Sequence, residues 1–235
     1  MSNIIKTKKQ GLLIVISGPS GCGKDTIVKE VLNKRDNCWL SISCTTRNPR
    51  QGEKDSQDYY FLSTEEFEKA IKDNNFLEYA IYNDNYYGTP LNYIKDHLNN
   101  GEDVILVIEI QGALKIKEKL EDTVFIFIMP PSMKELKKRL VNRNTDSPDK
   151  IDKRFKRAYE EINELTKYNY VVVNDEIITA ANKINAILEA EKCRVDRIEE
   201  VFLDTSEEQV HETLLHDVKE FDNSLIDLDK KNTNE

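Results

Sequence analysis

Glycine and proline are scarce, with 8 and 6 among 235 residues. That excludes a fibrous or low-complexity chain, which needs far more of both. Long apolar runs are missing as well. No window approaches 18 uninterrupted apolar residues, so the sequence holds no membrane span. The basic start MSNIIKTKKQ leads into GLLIVIS. That run is too short for a signal peptide, and it enters a glycine-rich turn instead of a small-residue cleavage site. The expected location is the cytoplasm. Cys22, Cys38, Cys44 and Cys193 form no CxxC pair, so neither a zinc knuckle nor a disulfide framework is indicated. What the chain does have is 39% hydrophobic and 33% charged residues, enough for one substantial core.

The formal charge of −9 sits at one end. Residues 196–235 carry 13 acids and 4 bases, which accounts for the whole surplus and leaves 1–195 neutral. Total charge therefore says nothing about what the body binds. No nucleic-acid or membrane partner is expected. The predicted division is a body over 1–195 and an acidic extension over 196–235. In the extension, Val210, Leu214, Val218, Phe221 and Leu225 share one helix face. Ser206 and Gln209 resemble a capping box ahead of it. An amphipathic helix packed on the body is the plain expectation, and a subunit or partner contact the sharper one. The last ten residues are expected to fray.

The body alternates buried-strand runs with helical patterns. Leu12–Ser17, Val104–Ile110, Val124–Met129 and Tyr170–Val173 read as strands. Helices are predicted over Lys24–Asn33, near Gly112–Lys119, over Ser132–Arg143 and from about Glu176 to Glu191. This rhythm predicts an α/β fold, a parallel sheet flanked by helices on both faces. The core is expected over about 10–44 and 91–190. Residues 45–90 break the rhythm with Tyr, Thr, Asn and Asp, and predict a β-rich insertion around one helix, Thr64–Asp73. Residues 144–153, NTDSPDKIDK, lack an apolar stripe and suit a mobile lid, with the lid region set at about 140–157.

The strongest motif is Gly18-Pro19-Ser20-Gly21-Cys22-Gly23-Lys24, between the first strand and the first helix. That context is what a P-loop requires. Glycines let the backbone N–H groups turn inward on phosphate, the helix N-terminus adds positive potential, and Lys24 supplies a mobile charge. The fold expectation sharpens to a P-loop NTPase-like sheet that binds a nucleotide. One feature departs from the usual pattern. Asp25, not Ser or Thr, follows Lys24, and Thr26 comes next. Thr26 is the better phosphate donor, whereas Asp25 could meet a metal directly or through water. Cys22 reads as a small loop residue. Its position beside Lys24 and a helix N-terminus also makes it a candidate for a depressed thiol pKa.

A second phosphate site is indicated by Arg47 and Arg50, three apart around Pro49, with tyrosines close behind. Two guanidiniums and a phenol can clamp a dianionic phosphate. Two nearby arginines alone are more often solvated surface. At this point the chain resembles the guanylate kinase family. The matching stretches are GPSGCGKDT, SCTTRNPRQGE, DYYF, FLEYAIYNDNYYGTP, VIEIQG, FIMPPSMKELKKRLVNRNTDS and VVND, in family order over about residues 10–190.

The resemblance implies a role at each matching position. Arg47, Arg50, Tyr59 and Tyr87 would hold the GMP phosphate, and Glu78 with Ser43 and Thr89 would read guanine. The chemistry agrees, because a carboxylate can accept from both N1–H and the exocyclic amine of guanine, a donor pair adenine lacks. Arg139, Arg143 and Arg154 would close over the triphosphate, where charge spreads during transfer. Arg143 and Asn174 would flank the adenine of ATP, and Arg157 is a weaker lid candidate. Glu109 could touch guanine or the water shell of Mg²⁺. The family commonly has an acid where this chain has Val107, so the metal ligands are left open between Asp25 and Glu109. The implied reaction is phosphorylation of GMP, and of dGMP, by ATP with Mg²⁺, in purine metabolism. The competing readings are a kinase for another nucleoside monophosphate and a catalytically silent binding module. The chain is expected to be a monomer or a homo-oligomer, with the extension able to influence which.

Overall fold

The apolar run ahead of the glycine loop is buried from end to end, and a sheet is built around it. A computed structural model of the chain describes residues 5–7, 10–50, 52–82, 84–120, 122–142 and 148–201. The elements are β1 (Ile5–Thr7), β2 (Leu13–Ser17), α1 (Lys24–Leu32), β3 (Cys38–Leu40), β4 (Cys44–Thr45), β5 (Tyr60–Phe61), α2 (Thr64–Lys72), β6 (Phe76–Tyr82), β7 (Asn85–Pro90), α3 (Leu91–Asn99), β8 (Asp103–Val107), α4 (Ile110–Lys117), β9 (Thr123–Met129), α5 (Met133–Asn142), α6 (Pro148–Ile162), β10 (Tyr170–Val173), α7 (Ile177–Lys192) and β11 (Ile198–Val201).

The chain divides into two units. The larger spans Lys9–Cys193, and the smaller joins Met1–Lys8 to Arg194–Glu235. The division lies near the expected boundary at 195, and residues 1–8 fall in the same unit as 194–235. Within the smaller unit, β1 pairs antiparallel with β11, Ile5 opposite Val201. The predicted tail helix and the expected frayed end fall in 202–235, and Arg143 in 143–147; both segments lie outside the described residues.

In the larger unit, five parallel strands run in the order β10-β9-β2-β8-β3. Successive residues of β2 feed opposite faces, as the strand pleat requires. Ile14 and Ile16 pack with Ile27, Val31, Ala181 and Ile184 from α1 and α7. Leu13 and Val15 pack with Ile94, Ala113 and Ile116 from α3 and α4. This is the α/β fold with a parallel sheet covered on both faces. Each fully buried isoleucine contributes about 1.5–3 kcal/mol, so the apolar run has no tolerance for a polar residue. Strand order reverses on either side of β2, which places a crevice at its carboxyl end.

The insertion is a four-stranded sheet, β5-β4-β7-β6, carrying α2. A capping box starts α2, with Ser63 and Glu66 bonding each other's backbone N–H. Phe67 from α2 stacks on Phe76 and Tyr86 at 4.4 and 5.0 Å, tying helix to sheet. Beyond the core, α5 and α6 pair through Leu136, Leu140 and Ala158, with Met133, Ile151 and Phe155 around them. The polar segment 144–153 therefore does not stay irregular throughout. Pro148 opens α6, a position where its fixed φ and missing N–H are harmless. Ile151 then begins the apolar stripe that the segment seemed to lack. Among the described residues, no helix is long and apolar enough to cross a membrane.

Candidate active site

The loop after β2 is held by its own backbone and by two side chains from behind. Gly23 has φ of +93°, and a Cβ there would stand 2.4 Å from the Asn174 amide nitrogen. Only glycine meets both conditions. Asn174 Nδ2 donates to the Cys22 carbonyl at 2.7 Å, and Arg139 donates to the same oxygen at 3.4 Å. Arg139 also donates to the Asn174 carbonyl at 3.1 Å. The two residues expected at the ATP end thus brace the loop as one unit. Arg154, from α6, donates to the Ser20 hydroxyl at 3.0 Å. Arg154 lines the cleft beside the loop, whereas Arg139 and Asn174 support the loop and are not among the residues that line the cleft.

Lys24 opens α1 and folds its ammonium back onto the carbonyls of Gly18 and Pro19, at 2.7 and 3.3 Å. Burial disfavours its charge, but the carboxylates around it, Glu109 and then Asp25 and Glu161, favour it and raise its pKa. Lys24 is therefore a fixed cation. Thr26 is exposed on α1. Cys22 follows the plainer of its two readings, a small loop residue. Its side chain is fully buried among the core apolars, and burial pushes the thiol pKa up despite Lys24. A protonated, enclosed thiol is a packing residue, not a redox sensor.

A cavity of about 470 Å³ opens from this loop. Ser20, Lys24 and Asp25 line one side, Arg47, Arg50, Tyr59 and Tyr87 the other. Ser43, Glu78, Val107 and Glu109 line it too, with Arg154 and Arg157 from α6. The volume suits a small-molecule ligand. The neutral body thus concentrates its arginines in one cleft, where local field counts for more than net charge.

Arg47 is held in a fork by Glu53, at 2.9 and 3.0 Å, and lies 5.3 Å over the Tyr59 ring. Tyr87 meets Tyr59 edge-on at 6.1 Å. The Arg47 hydrogen bond holds the Glu53 carboxyl below the usual range. Glu53 also accepts from the Arg50 backbone N–H at 2.7 Å. It is the organiser of the clamp, and sequence reasoning did not single it out.

Glu78 and Thr89 are directly opposite each other on β6 and β7. Glu78 is 6% exposed, and the Thr89 hydroxyl donates to its carboxylate at 2.6 Å. Burial raises the Glu78 pKa, against the Thr89 bond and the charges of Lys115 and Lys119. Thr89 itself is 1% exposed. Its donor is spent on Glu78, so it positions the carboxylate from behind.

Glu109 occupies the N-cap position of α4 without a side-chain cap bond, and its charge acts on Lys24. A second missed acid stands beside it. Glu161 is 9% exposed and accepts from Arg157 at 2.9 Å. Burial and then Glu109 raise its pKa.

A guanylate kinase family model matches residues 10–191, most of the larger unit. The chain belongs to the guanylate kinase family. A guanylate kinase of Clostridium perfringens is 54% identical over 91% of this chain and 99% of its own length. One of Caldanaerobacter subterraneus is 56% identical over 86% of this chain and 98% of its own. A crystal structure of guanylate kinase from Anaplasma phagocytophilum is 37% identical, with a TM-score of 0.70, covering 83% of this chain and 93% of that one. As a guanylate kinase, the chain is an enzyme, and it is expected to act at the cleft just described. The glycine loop of this guanylate kinase was readable from residue type and spacing, and the pairing of Arg47 and Arg50 as a clamp came with the resemblance. The supporting acids, Glu53 and Glu161, left no signal beyond ordinary surface charge.

Proposed function

We propose that the cleft binds GMP against Glu78 and ATP on the glycine loop, and transfers the γ-phosphoryl group: ATP + GMP → ADP + GDP. The observation that carries this is the Glu78 carboxylate, buried and held by Thr89 where it lines the cleft beside the Arg47 clamp. Its free acceptor capacity matches the paired donors of guanine. Ser43 lines the same wall and can donate to the guanine O6.

No covalent intermediate is needed. Arg47 and Arg50 hold the GMP phosphate, and the Glu53 fork keeps Arg47 aimed. The loop N–H groups and Lys24 hold the ATP phosphates. Arg154 would place positive charge around the moving group, with Arg139 and Arg143 expected to join it on closure, and α6 would shield it from water. Binding thus lines the attacking oxygen up with the γ-phosphorus, which removes most of the entropic cost of the encounter.

The donor set fits Mg²⁺. Among the described residues no three metal-capable side chains cluster, and only carboxylates, Asp25 and Glu109, line the cleft near Lys24. Mg²⁺ keeps most of its waters and takes one or two carboxylates with substrate phosphates. Asp25 and Glu109 would hold it through that water shell. When bound, it neutralises charge on the β- and γ-phosphates. Free thiols and an ATP requirement fit a cytoplasmic enzyme of purine metabolism.

A substrate panel tests the reading. ADP release is measured with GMP, dGMP, AMP, UMP and dTMP, each with Mg²⁺, Mn²⁺ or Co²⁺. Turnover is expected with GMP and dGMP and at least about 100-fold less with AMP. AMP matching GMP would overturn the assignment. No turnover with any metal would favour the silent binding module.

Acidity gives a second check. Glu78 accepts from guanine only as the carboxylate, and its pKa stands above the ordinary 4.5. As pH falls, the GMP KM is therefore expected to rise earlier than an ordinary glutamate would dictate. The ATP KM should lack that limb. A Glu78→Gln variant should keep only the change due to the GMP phosphate itself. Superimposable GMP profiles for the two enzymes would sink the role of Glu78.

A further inference from the structure

Gly112 stands in the first turn of α4, buried, where the helix meets Glu78. Its backbone is not in the left-handed region, so no turn or strain calls for glycine there. Glycine inside a helix is less stable than alanine, because it loses more backbone freedom. On local grounds alanine would be the better residue. What excludes it is a single neighbour. A Cβ at 112 would lie 2.5 Å from Glu78 Oε2, 2.9 Å from its carboxyl carbon and 3.4 Å from Oε1. All three atoms belong to the carboxylate, and none to backbone.

We infer that Gly112 is a specificity-determining position: its missing side chain is the space that lets Glu78 sit against α4 and face the cleft. The inference rests on Glu78 reading guanine. A methyl group at 112 does not have to break the fold. It meets the tip of one flexible side chain, which must retreat by about 1 Å to reach ordinary van der Waals separation. Glu78 cannot do so and keep its 2.6 Å bond from Thr89 in place. The displaced carboxylate then misses the paired donors of the base, and a 1 Å error of this kind can cost about 100-fold. The phosphate loop and the lid arginines are untouched, so ATP binding is spared. Gly112 acts through Glu78 and is a positioning residue.

The test is Gly112→Ala beside Glu78→Gln, with thermal unfolding and separate KM values for GMP and ATP. Gly112→Ala should raise the GMP KM about 10- to 100-fold. The ATP KM should stay within about twofold, and Tm should stay equal or rise. Adding Glu78→Asp to Gly112→Ala draws the carboxylate back by one methylene. The double variant should bind GMP better than the product of the two single effects. A wild-type GMP KM in Gly112→Ala, with Glu78→Gln still impaired, overturns this inference and leaves the proposed function standing. A lower Tm with both KM values raised together assigns Gly112 to packing alone and overturns it too. An unchanged GMP KM in Glu78→Gln removes the base reader and the inference with it.

Discussion

Lys24→Ala is expected to lower turnover of GMP by about 1,000-fold or more while the chain still folds. The size follows from when the charge is used. Lys24 bonds two loop carbonyls, Gly18 and Pro19, so its loss leaves two acceptors to find water. Hydrogen bonds from a charged donor of this sort contribute about 1.5–3 kcal/mol each. The loop keeps its other supports, because Asn174 and Arg139 still hold the Cys22 carbonyl. In the transition state the loss is larger. Removing one preorganised donor from developing charge costs about 2.7–4 kcal/mol, or 100- to 1,000-fold. A full positive charge in a water-poor cleft lies at or beyond the upper end. Arg139 and Arg154 cannot replace it, since each is already bonded to the loop from another side. Single-turnover rates with saturating GMP and ATP, beside a thermal unfolding curve, check this. A kcat within tenfold of the parent enzyme would mean the loop is not the catalytic phosphate site.

How much of this could be read without coordinates depends on how local the cause is. β2 was legible because a strand buried on both faces must be largely apolar, and Leu13–Ile16 is, with the buried Ser17 hydroxyl donating to the Ile108 carbonyl. The glycine loop was legible because its chemistry lies within seven consecutive residues. The insertion announced itself by a change of composition. β3 and α3 did not. β3 has three residues, all only partly buried, and α3 buries Ile94 alone. Neither offers a full period of pattern. The site shows the same division. Arg47 and Arg50 carry a motif, whereas Glu53 matters only because the chain turns back on itself and lays the carboxylate against Arg47. Glu161 follows another glutamate on α6 and looks like solvated surface until the fold sets it beside Glu109 and Arg157. Thr89 was expected from the resemblance to help read the base, but its bond to Glu78 is a fact of cross-strand register. Cys22 left two readings open, a small loop residue and a reactive thiol beside a lysine and a helix end, and burial, the larger effect, favours the first.

Glu78→Gln is expected to raise the GMP KM about 100-fold with the ATP KM unchanged. The substitution keeps shape and volume. The Thr89 hydroxyl can still donate to the remaining oxygen, so the side chain stays where it is. What changes is the second position, where an acceptor becomes an NH₂ donor facing the guanine donors. Losing a hydrogen bond to a charged group costs about 1.5–3 kcal/mol, and donor facing donor in a buried site adds to it. That sum is about a factor of 100. Stability should move the other way. Burial raises the Glu78 pKa, so the folded state binds its proton more readily than the unfolded chain does. The penalty for folding with this group ionised is thus present in full above the folded pKa and relieved as pH falls through it. At neutral pH the neutral glutamine escapes the penalty, and Tm should be equal or higher. Weaker GMP binding in a protein no less stable separates recognition from folding. Calorimetric titration with GMP and thermal unfolding at pH 7 give both readouts. A lower Tm with both KM values raised would mean that Glu78 supports the sheet and not the base.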